Sequence, residues 1–260
     1  MMNDEWIEDI ASGYRQAQVL LTAVRLGVFS KLGEHALSAE ELAQRIQCSL
    51  RGTRILCDAL AALGLLVKEK DAYRNTELGV RLLVDSGAES RNPMMLHNAL
   101  LYERWAGLID AVRAGGKTTP LPDRQTAADK HAFARAMAVA ARETADKTAA
   151  LLNLSRASKL LDVGGGPGMY ALAFAGRNPQ LIVSILDDAG TLAVAEENIK
   201  HAGLESRINC VAGNVLDAAI TGKYDFIFIS NVIHCYSPEQ NRRIVNRCRA
   251  MLSGCSLTPA

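Results

Sequence analysis

The carboxyl-terminal part of this 260-residue chain alternates short apolar runs with helical stretches, and no other feature constrains its fold as strongly. The apolar runs predict strands at 159–163, 181–186, 207–211 and 224–230, and the stretches between and after them predict helices at 169–177, 192–202 and 239–252. Repeated strand–helix units build a parallel sheet that helices cover on both faces. The sequence therefore predicts a doubly wound α/β domain.

The amino-terminal part follows a different pattern. An apolar stripe at helical spacing begins at Ile7 and predicts a first helix. Ser38 and Glu41 have the spacing of a capping box, and Ser49 is placed to cap a further helix. A polar turn at 68–71 between apolar residues then predicts a hairpin. Three helices followed by a hairpin predict an all-α winged-helix domain whose wing is that hairpin.

Two further helices connect these parts. Apolar spacing predicts them at 94–114 and 130–152, and the prolines between 118 and 125 indicate a linker. We therefore divide the chain into a winged-helix domain (1–115), a linker with its helix (116–158) and the α/β domain (159–260).

Composition excludes several classes of partner and location. Lys and Arg number 29 against 28 Asp and Glu, so no net field favours nucleic acid or an anionic membrane. The six cysteines form no C-x-x-C pair and are expected to be reduced thiols. The acidic start of the chain is unlike a signal peptide, and the longest apolar run is too short to cross a bilayer. We expect a cytoplasmic protein with no membrane partner.

A glycine-rich turn follows the first predicted strand of the α/β domain. Its glycines, Gly164, Gly166 and Gly168, have the pattern G-x-G-x-G, and Met169 stands where a dinucleotide fingerprint has its last glycine. This spacing favours S-adenosylmethionine over a nicotinamide dinucleotide, because the methionine part has no pyrophosphate to bind at a helix terminus. Asp162 is placed to interact with the cofactor's ammonium group, directly or through water.

The second predicted strand is followed by an acidic residue. Asp187 lies where a carboxylate accepts hydrogen bonds from both ribose hydroxyls of an adenosyl group. The alternative is a tight turn at the glycines and a helix cap at Asp187. The strand contexts and the acidic residue at 162 together favour the cofactor site.

Two segments carry a resemblance to a known family. Residues 161–168 and the segment Asn-Val-Ile-His-Cys-Tyr-Ser-Pro-Glu-Gln at 231–240 resemble the winged-helix, dimeric O-methyltransferases related to plant caffeate and bacterial polyketide enzymes. The resemblance spans nearly the whole chain. It implies a homodimer formed through the amino-terminal domain and metal-free methyl transfer to a hydroxyl of a small aromatic or polyketide-like molecule. C-methylation is a related possibility.

The resemblance also assigns roles to individual residues. It implies that His234 is the general base, which suits an imidazole that titrates near neutral pH. It places Phe133 and Met137 over the ring of the acceptor and Trp105 in the lining of the same pocket. Ordinary apolar packing is the alternative for these three side chains.

Three departures from the family pattern qualify these expectations. Asn214 stands where the family commonly has an acidic residue that bonds the adenine amino group, and its amide oxygen is a replacement acceptor. Ser230 replaces a basic residue of the plant enzymes, and we assign both positions to cofactor binding. Residues 254–260 end the chain where a fifth strand begins in the family. We therefore expect the last three strands to be missing, with an exposed fourth strand and slow turnover.

Two non-catalytic interpretations remain open. Arg51, Arg54, Lys68 and Lys70 on the third helix and the wing would serve DNA binding. A dimer that binds the cofactor without catalysis is the other interpretation, because the expected loss of the last strands removes acidic partners of the histidine.

Overall fold

The computed structural model describes residues 3–87, 89–116, 127–218 and 220–253, with the side chains of 127–129 excepted. The chain forms two compact units, residues 1–123 and 124–260. The three-part division predicted above remains a proposal.

The first unit contains eight described helices and a small sheet. The helices are α1 (Asp4–Ser12), α2 (Tyr14–Arg25), α3 (Val28–Leu32), α4 (Ala39–Arg45), α5 (Leu50–Ala62), α6 (Glu77–Leu83), α7 (Asn92–Trp105) and α8 (Leu108–Ala114). The strands β1 (Leu37–Ser38), β2 (Leu66–Glu69) and β3 (Ala72–Asn75) pair antiparallel in the order β1-β3-β2.

Local capping positions the helices of the winged-helix arrangement as the sequence predicts. Ser38 and Glu41 form a complete capping box at the start of α4, and the Ser49 hydroxyl accepts a hydrogen bond from the Gly52 N–H at the start of α5. The predicted hairpin is β2–β3. It is joined by β1, a strand too short to leave a period-two pattern in the sequence.

Two helices that the sequence predicts as continuous are interrupted. The first breaks at Gly13 into α1 and α2, and the second breaks after Trp105 into α7 and α8, with Gly107 in the gap. Glycine is a poor helix former because its backbone loses more conformational entropy than that of other residues. Apolar periodicity continues across both breaks and therefore conceals them.

Ion pairs engage two of the four cations that the DNA-binding interpretation uses. Arg54 pairs with Glu40 at 3.3 Å, and Lys68 pairs with Asp58 at 2.6 Å. The Asp58 carboxylate also accepts a hydrogen bond from the buried Tyr73 hydroxyl at 2.7 Å. The Asp58 contacts join the wing to α5, and the Arg54 pair joins α5 to α4, so both cations have a role within the unit.

The second unit is the α/β domain. Its elements are α9 (Ala127–Leu151), β4 (Lys159–Val163), α10 (Met169–Arg177), β5 (Ile182–Asp187), α11 (Ala189–His201), β6 (Ile208–Ala212), β7 (Phe226–Ile229), a 3-10 helix (Ile233–Cys235) and α12 (Pro238–Met251). The described strands are parallel in the order β6-β5-β4-β7.

Both faces of the central strand β4 are buried. Leu160 packs into a core with Phe174 of α10 and Val183 of β5, whereas its neighbour Leu161 belongs to a core with Ile244 of α12. Consecutive side chains of a strand point to opposite faces, so helices cover this sheet on both sides. The prediction of a doubly wound parallel sheet is confirmed.

The chain returns to the sheet after α12. Tyr224 forms a parallel bridge with Leu252, in which the Tyr224 N–H donates to the Met251 carbonyl at 2.9 Å and the Ser253 N–H donates to the Tyr224 carbonyl at 2.8 Å. These bonds lie just before β7, which is shorter than the strand predicted at 224–230. Residues 254–260, on which the prediction of missing strands depends, lie outside the described residues.

None of the helices in the described residues is both long enough and apolar enough to cross a membrane. The five cysteines among the described residues are free thiols.

Candidate active site

A cavity of about 570 Å³ opens at the carboxyl ends of all four described strands of the α/β domain. Gly164 follows β4, Asp187 ends β5, Asn214 follows β6, and Val232 and Tyr236 follow β7; all five line the cavity. Ligands of open α/β sheets bind at this edge. A second cavity, of about 340 Å³, is lined by α9 and α10 and contains none of the predicted site residues.

The glycine turn needs its glycines for different reasons. A Cβ on Gly164 would lie 2.3 Å from a methyl group of Val232, and one on Gly165 would lie 2.7 Å from the Asp162 carboxylate. Gly166 has φ +56° with no atom near the position of a Cβ, which leaves open space above the backbone. Gly168 is the N-cap of α10 and lies against Ile185. The backbone at 166 is therefore the part of the turn that is open to a ligand.

Asp162 lies beneath this turn and is 1% exposed. Among the described residues, its Oδ2 atom has no hydrogen-bond partner. Burial and the nearby charge of Asp187 raise the Asp162 pKa to about 7, against a smaller opposing effect of a backbone hydrogen bond from Ala171. The Asp162 carboxyl group is therefore partly protonated and partly ionised near neutral pH. The contact with a cofactor ammonium group remains a prediction.

The Asp187 carboxylate is hydrogen-bonded to the glycine turn, and Asp187 also lines the cavity. Its Oδ2 accepts a hydrogen bond from the Gly166 N–H at 2.8 Å, and its Oδ1 accepts one from the Asp188 N–H at 2.7 Å. Burial raises the Asp187 pKa, although these two hydrogen bonds oppose the shift. The structure thus joins two predicted site residues, Asp187 and Gly166, by a direct bond.

Asn214 and Ser230 follow β6 and β7, the two outermost of the described strands, at the carboxyl-terminal edge of the sheet. The Asn214 Oδ1 atom accepts a hydrogen bond from the Leu216 N–H at 2.8 Å, and the Tyr236 hydroxyl lies 3.5 Å from it. The amide oxygen that we expected to accept from adenine is therefore already bonded within the protein. Ser230 follows β7, and its hydroxyl lies 3.5 Å from the side-chain nitrogen Nδ2 of Asn231.

An ion pair that the sequence analysis missed lies beside Asp187. Lys130 of α9 approaches Asp188 at 3.2 Å, and the Asp188 carboxylate also accepts hydrogen bonds from Thr191 and the Gly190 N–H. Burial alone would raise the Asp188 pKa, but these hydrogen bonds hold it below its usual value. The acidic wall of the cavity therefore has one carboxylate with a raised pKa and one with a lowered pKa.

His234 lies on the 3-10 helix between two cavity-lining residues, Val232 and Tyr236. Asn231 has φ +55°, a left-handed conformation that Asn tolerates better than most residues, and it turns the chain away from β7. The His234 side chain is exposed. Within the described part of the chain, its imidazole makes no hydrogen bond or ion pair.

Asn241 of α12 holds this turn in place. Its Nδ2 group donates to the Ile233 carbonyl at 2.9 Å and to the Tyr236 carbonyl at 3.2 Å, so the two bonds bracket His234. A second capping box, formed by Ser237 and Gln240, begins α12 directly after the turn. Backbone hydrogen bonds from a side chain leave no periodic signal, which is why the sequence analysis missed Asn241.

The three predicted acceptor-lining residues lie on helices. Phe133 and Met137 lie on α9, where Ala134 and Ala136 face the core; Phe133 is 44% exposed and Met137 is half-buried. Trp105 ends α7 in the first unit and is 66% exposed. None of the three is part of a packed core, and their roles toward an acceptor remain predictions.

Family models match most of the chain. An O-methyltransferase dimerisation domain matches residues 8–85, and an O-methyltransferase domain matches residues 105–255. The second match includes the glycine turn, Asp187, Asn214 and His234.

Individual relatives agree with the family models. A 3-hydroxy-5-methyl-1-naphthoate 3-O-methyltransferase from Streptomyces sahachiroi is 29% identical over 93% of this chain and 72% of its own length. A solved O-methyltransferase family protein from Burkholderia thailandensis superimposes with a TM-score of 0.84 at 27% identity, covering 97% of this chain and 77% of its own. The human N-acetylserotonin methyltransferase, solved with SAM, shares the fold with a TM-score of 0.82 at 23% identity, over 97% of this chain and 78% of its own.

The two family models together match residues 8–85 and 105–255, and the second match spans the parallel strands, the glycine turn and the cavity wall. The chain belongs to the O-methyltransferase family with an amino-terminal dimerisation domain.

Proposed function

We propose that this protein transfers the methyl group of S-adenosylmethionine to a hydroxyl group of a small aromatic or polyketide-like molecule, with His234 as the general base. One observation carries the proposal. The cavity at the carboxyl ends of the strands is lined by Val232 and Tyr236, and His234 lies on the turn between them. A nucleoside site and a candidate base therefore adjoin at the ligand-binding edge of the sheet.

The residues around the cavity fit the cofactor. A volume of about 570 Å³ suits a ligand of this size. Each Asp187 oxygen accepts one backbone N–H and retains a further lone pair, so the carboxylate can also accept from ribose hydroxyls. The backbone at Gly166 has open space for the amino-acid part. When bound, S-adenosylmethionine supplies a methyl group on a positively charged sulfur.

Asp162 and Ser230 support the same site. The cofactor carries positive charge, which favours the ionised form of a nearby carboxyl group. Asp162 lies beneath the turn with a pKa of about 7, so its ionisation responds to such a charge. Ser230 follows β7, whose residue Ile229 is paired with Val163, so Ser230 lies at the level of the glycine turn.

His234 is the group that holds the proton. An exposed imidazole can accept the proton of an acceptor hydroxyl as the oxygen becomes nucleophilic. Asn241 acts as a positioning residue, because it fixes the carbonyls on either side of the imidazole. Holding donor and acceptor in place supplies the larger part of the acceleration in such a transfer.

The acceptor class follows from the relatives. The Streptomyces sahachiroi relative is named for a hydroxylated naphthoate, and another, from Streptomyces glaucescens, for a tetracenomycin polyketide. Phe133, Met137 and Trp105 are the side chains we assign to the acceptor's rings, since aromatic and thioether groups on helices provide apolar contact area. The cytoplasmic location and the lack of a nucleic-acid partner remain predictions.

A homodimer built by residues 1–115 completes the proposal. The first unit exposes a large apolar surface on three of its helices. These side chains are Trp6, Ile7, Ile10, Tyr14, Leu108, Ile109 and Val112. Exposed apolar surface of this extent marks an interface, and the match to a dimerisation domain over residues 8–85 identifies a second copy as the partner.

The cofactor site is tested by titrating S-adenosylhomocysteine into variants by calorimetry. Asp187→Ala removes hydrogen bonds to a charged group worth roughly 1.5–3 kcal/mol each, and we expect affinity to fall by at least about 10-fold. Gly166→Val fills the open space above the turn and should weaken binding as well. Asp146→Ala, a change at an exposed carboxylate of α9, is the matched control. Wild-type affinity in both site variants would refute the site.

The role of His234 is tested by His234→Ala. We expect kcat for methylation of a phenolic acceptor panel to fall about 100- to 10,000-fold, because general-base catalysis contributes that much. The affinity for S-adenosylhomocysteine should be unchanged. His201→Ala at the far end of α11 is the control, and its rate should equal that of the wild type. Equal rates for the two variants would contradict the assignment.

The positioning role of Asn241 is tested by Asn241→Leu and the isosteric Asn241→Asp, neither of which can donate both hydrogen bonds. We expect kcat to fall roughly 10- to 100-fold, since small displacements of a reacting group are costly. Acceptor KM and cofactor affinity should change little, and Arg243→Ala on the exposed face of α12 should change neither. A loss confined to KM or to melting temperature would mean that Asn241 has only a structural role.

The dimer is tested by light scattering at micromolar concentration. The wild type should have twice the chain mass of 28.0 kDa. Ile10→Asp and Val112→Asp place a charge on surfaces that are 63% and 72% exposed in the single chain, and both should favour the monomer. Leu151→Asp, at an 85% exposed position of the second unit, should remain dimeric. A monomeric wild type would contradict the proposed homodimer.

A further inference from the structure

Lys130 of α9 lies across the first turn of α11, beside the acidic wall of the cavity. Its ammonium group approaches the Asp188 carboxylate at 3.2 Å, and both side chains are partly exposed. A Cβ on Gly190 would lie 2.9 Å from the Lys130 Cδ atom and 3.3 Å from the Lys130 Cβ atom. The stem of the lysine therefore occupies space that residue 190 leaves free because it is a glycine, and this packing directs the ammonium group toward Asp188.

The Asp188 carboxylate is held in place by its own helix. Asp188 is the N-cap of α11, where its Oδ1 accepts the Gly190 N–H at 3.0 Å and its Oδ2 accepts the Thr191 hydroxyl at 2.8 Å. Asp187 directly precedes it, and the Asp187 Oδ1 accepts the Asp188 N–H at 2.7 Å. Since the two carboxylates are fixed side by side, the Lys130 ammonium group cannot pair with one without acting on the other.

Three carboxyl groups gather at this wall, and Lys130 brings the opposing charge. Among the described residues, Asp162 lies beneath the glycine turn, Asp188 follows Asp187, and Tyr236 is a further titratable residue of the cavity lining. Burial raises the Asp187 pKa, its backbone hydrogen bonds lower it, the Asp188 charge raises it and the Lys130 charge lowers it. Without this lysine, backbone hydrogen bonds alone would oppose protonation of Asp187.

We propose that Lys130 is a positioning residue of the cofactor site, which keeps the Asp187 carboxylate ionised so that both of its oxygens accept hydrogen bonds from ribose hydroxyls. This inference rests on the proposed function, since it takes the nucleoside of the methyl donor as the ligand of Asp187. A protonated carboxyl group would donate through one oxygen and lose an acceptor. Partly exposed ion pairs contribute little to the free energy of unfolding, so the effect of Lys130 is on binding. Helix α9, which carries Phe133 and Met137, thereby contributes a charge to the donor site.

The test measures the dissociation constant of S-adenosylhomocysteine by calorimetry at about pH 5.5 and about pH 8. Binding needs ionised Asp187, so affinity falls as the pH falls through the Asp187 pKa, and loss of the Lys130 charge moves that fall to higher pH. Lys130→Gln removes the charge and keeps a hydrogen-bond donor. Its constant at the higher pH should stay within about 2-fold of the wild-type value, and its ratio of low-pH to high-pH constants should be at least about 3-fold larger. Asp162 titrates in both proteins, so its contribution cancels.

Three further variants keep the result decisive. Lys130→Arg retains the charge and should restore the wild-type ratio, whereas Lys130→Met should repeat the effect if Lys130→Gln folds poorly. Lys147→Gln, at an exposed lysine of the same helix, should leave the ratio unchanged. A wild-type ratio in the uncharged variants, or a loss of affinity that is equal at both pH values, overturns the inference while leaving the proposed function intact. Failure of the wild type to bind S-adenosylhomocysteine at either pH overturns the proposed function together with the inference.

Discussion

The parallel pairing of β4 with β5 on one side and β7 on the other is the constraint on which the site depends. Val163 is in register with both Leu186 and Ile229, so the three strands end at the same level. Leu160 and Leu161 are buried on opposite faces of β4 and hold this register in place, because a shift of one residue would exchange the faces of every side chain. The glycine turn, Asp187 and the histidine turn meet only because these ends are level.

Helix α12 braces two walls of the cavity from behind. Asn241 holds the turn that carries His234, and Arg247 holds the loop that carries Asn214. Both side chains bond to backbone carbonyls, which depend on local conformation and not on side-chain identity. The same helix buries Ile244 against the sheet between them. The geometry of the segments that carry His234 and Asn214 is therefore set by one packed helix.

Local and periodic signals explain what the sequence predicts well. The strand at 159–163 and the helix at 169–177 have the bounds predicted from apolar spacing and the glycine turn. The capping box at Ser38 could be predicted from the sequence because both of its partners lie within one helical turn. Gly164, Asp187 and Asn214 lie around one cavity because each follows or ends a strand of a parallel sheet. The carboxyl ends of such strands lie at the same edge of the sheet.

Contacts between distant segments explain what the sequence did not predict. Arg247 and Asn241 donate hydrogen bonds to backbone carbonyls. Every residue has such a carbonyl, so the residue types at the accepting positions do not indicate the contact. The hydrogen bond from the Leu216 N–H to the Asn214 amide oxygen depends on the fold of their own loop, so the sequence alone did not predict it. The breaks at Gly13 and Gly107 were concealed because apolar spacing continues across them.

The contact between Gly164 and Val232 has a mechanical consequence. A methyl group of Val232 fills the space in which a side chain on residue 164 would lie. Valine is stiff about its first side-chain torsion, so this contact does not yield easily. The glycine turn and the segment that leads to His234 are therefore in close contact at this point. Their spacing limits residue 164 to glycine, because any side chain there would push the two segments apart.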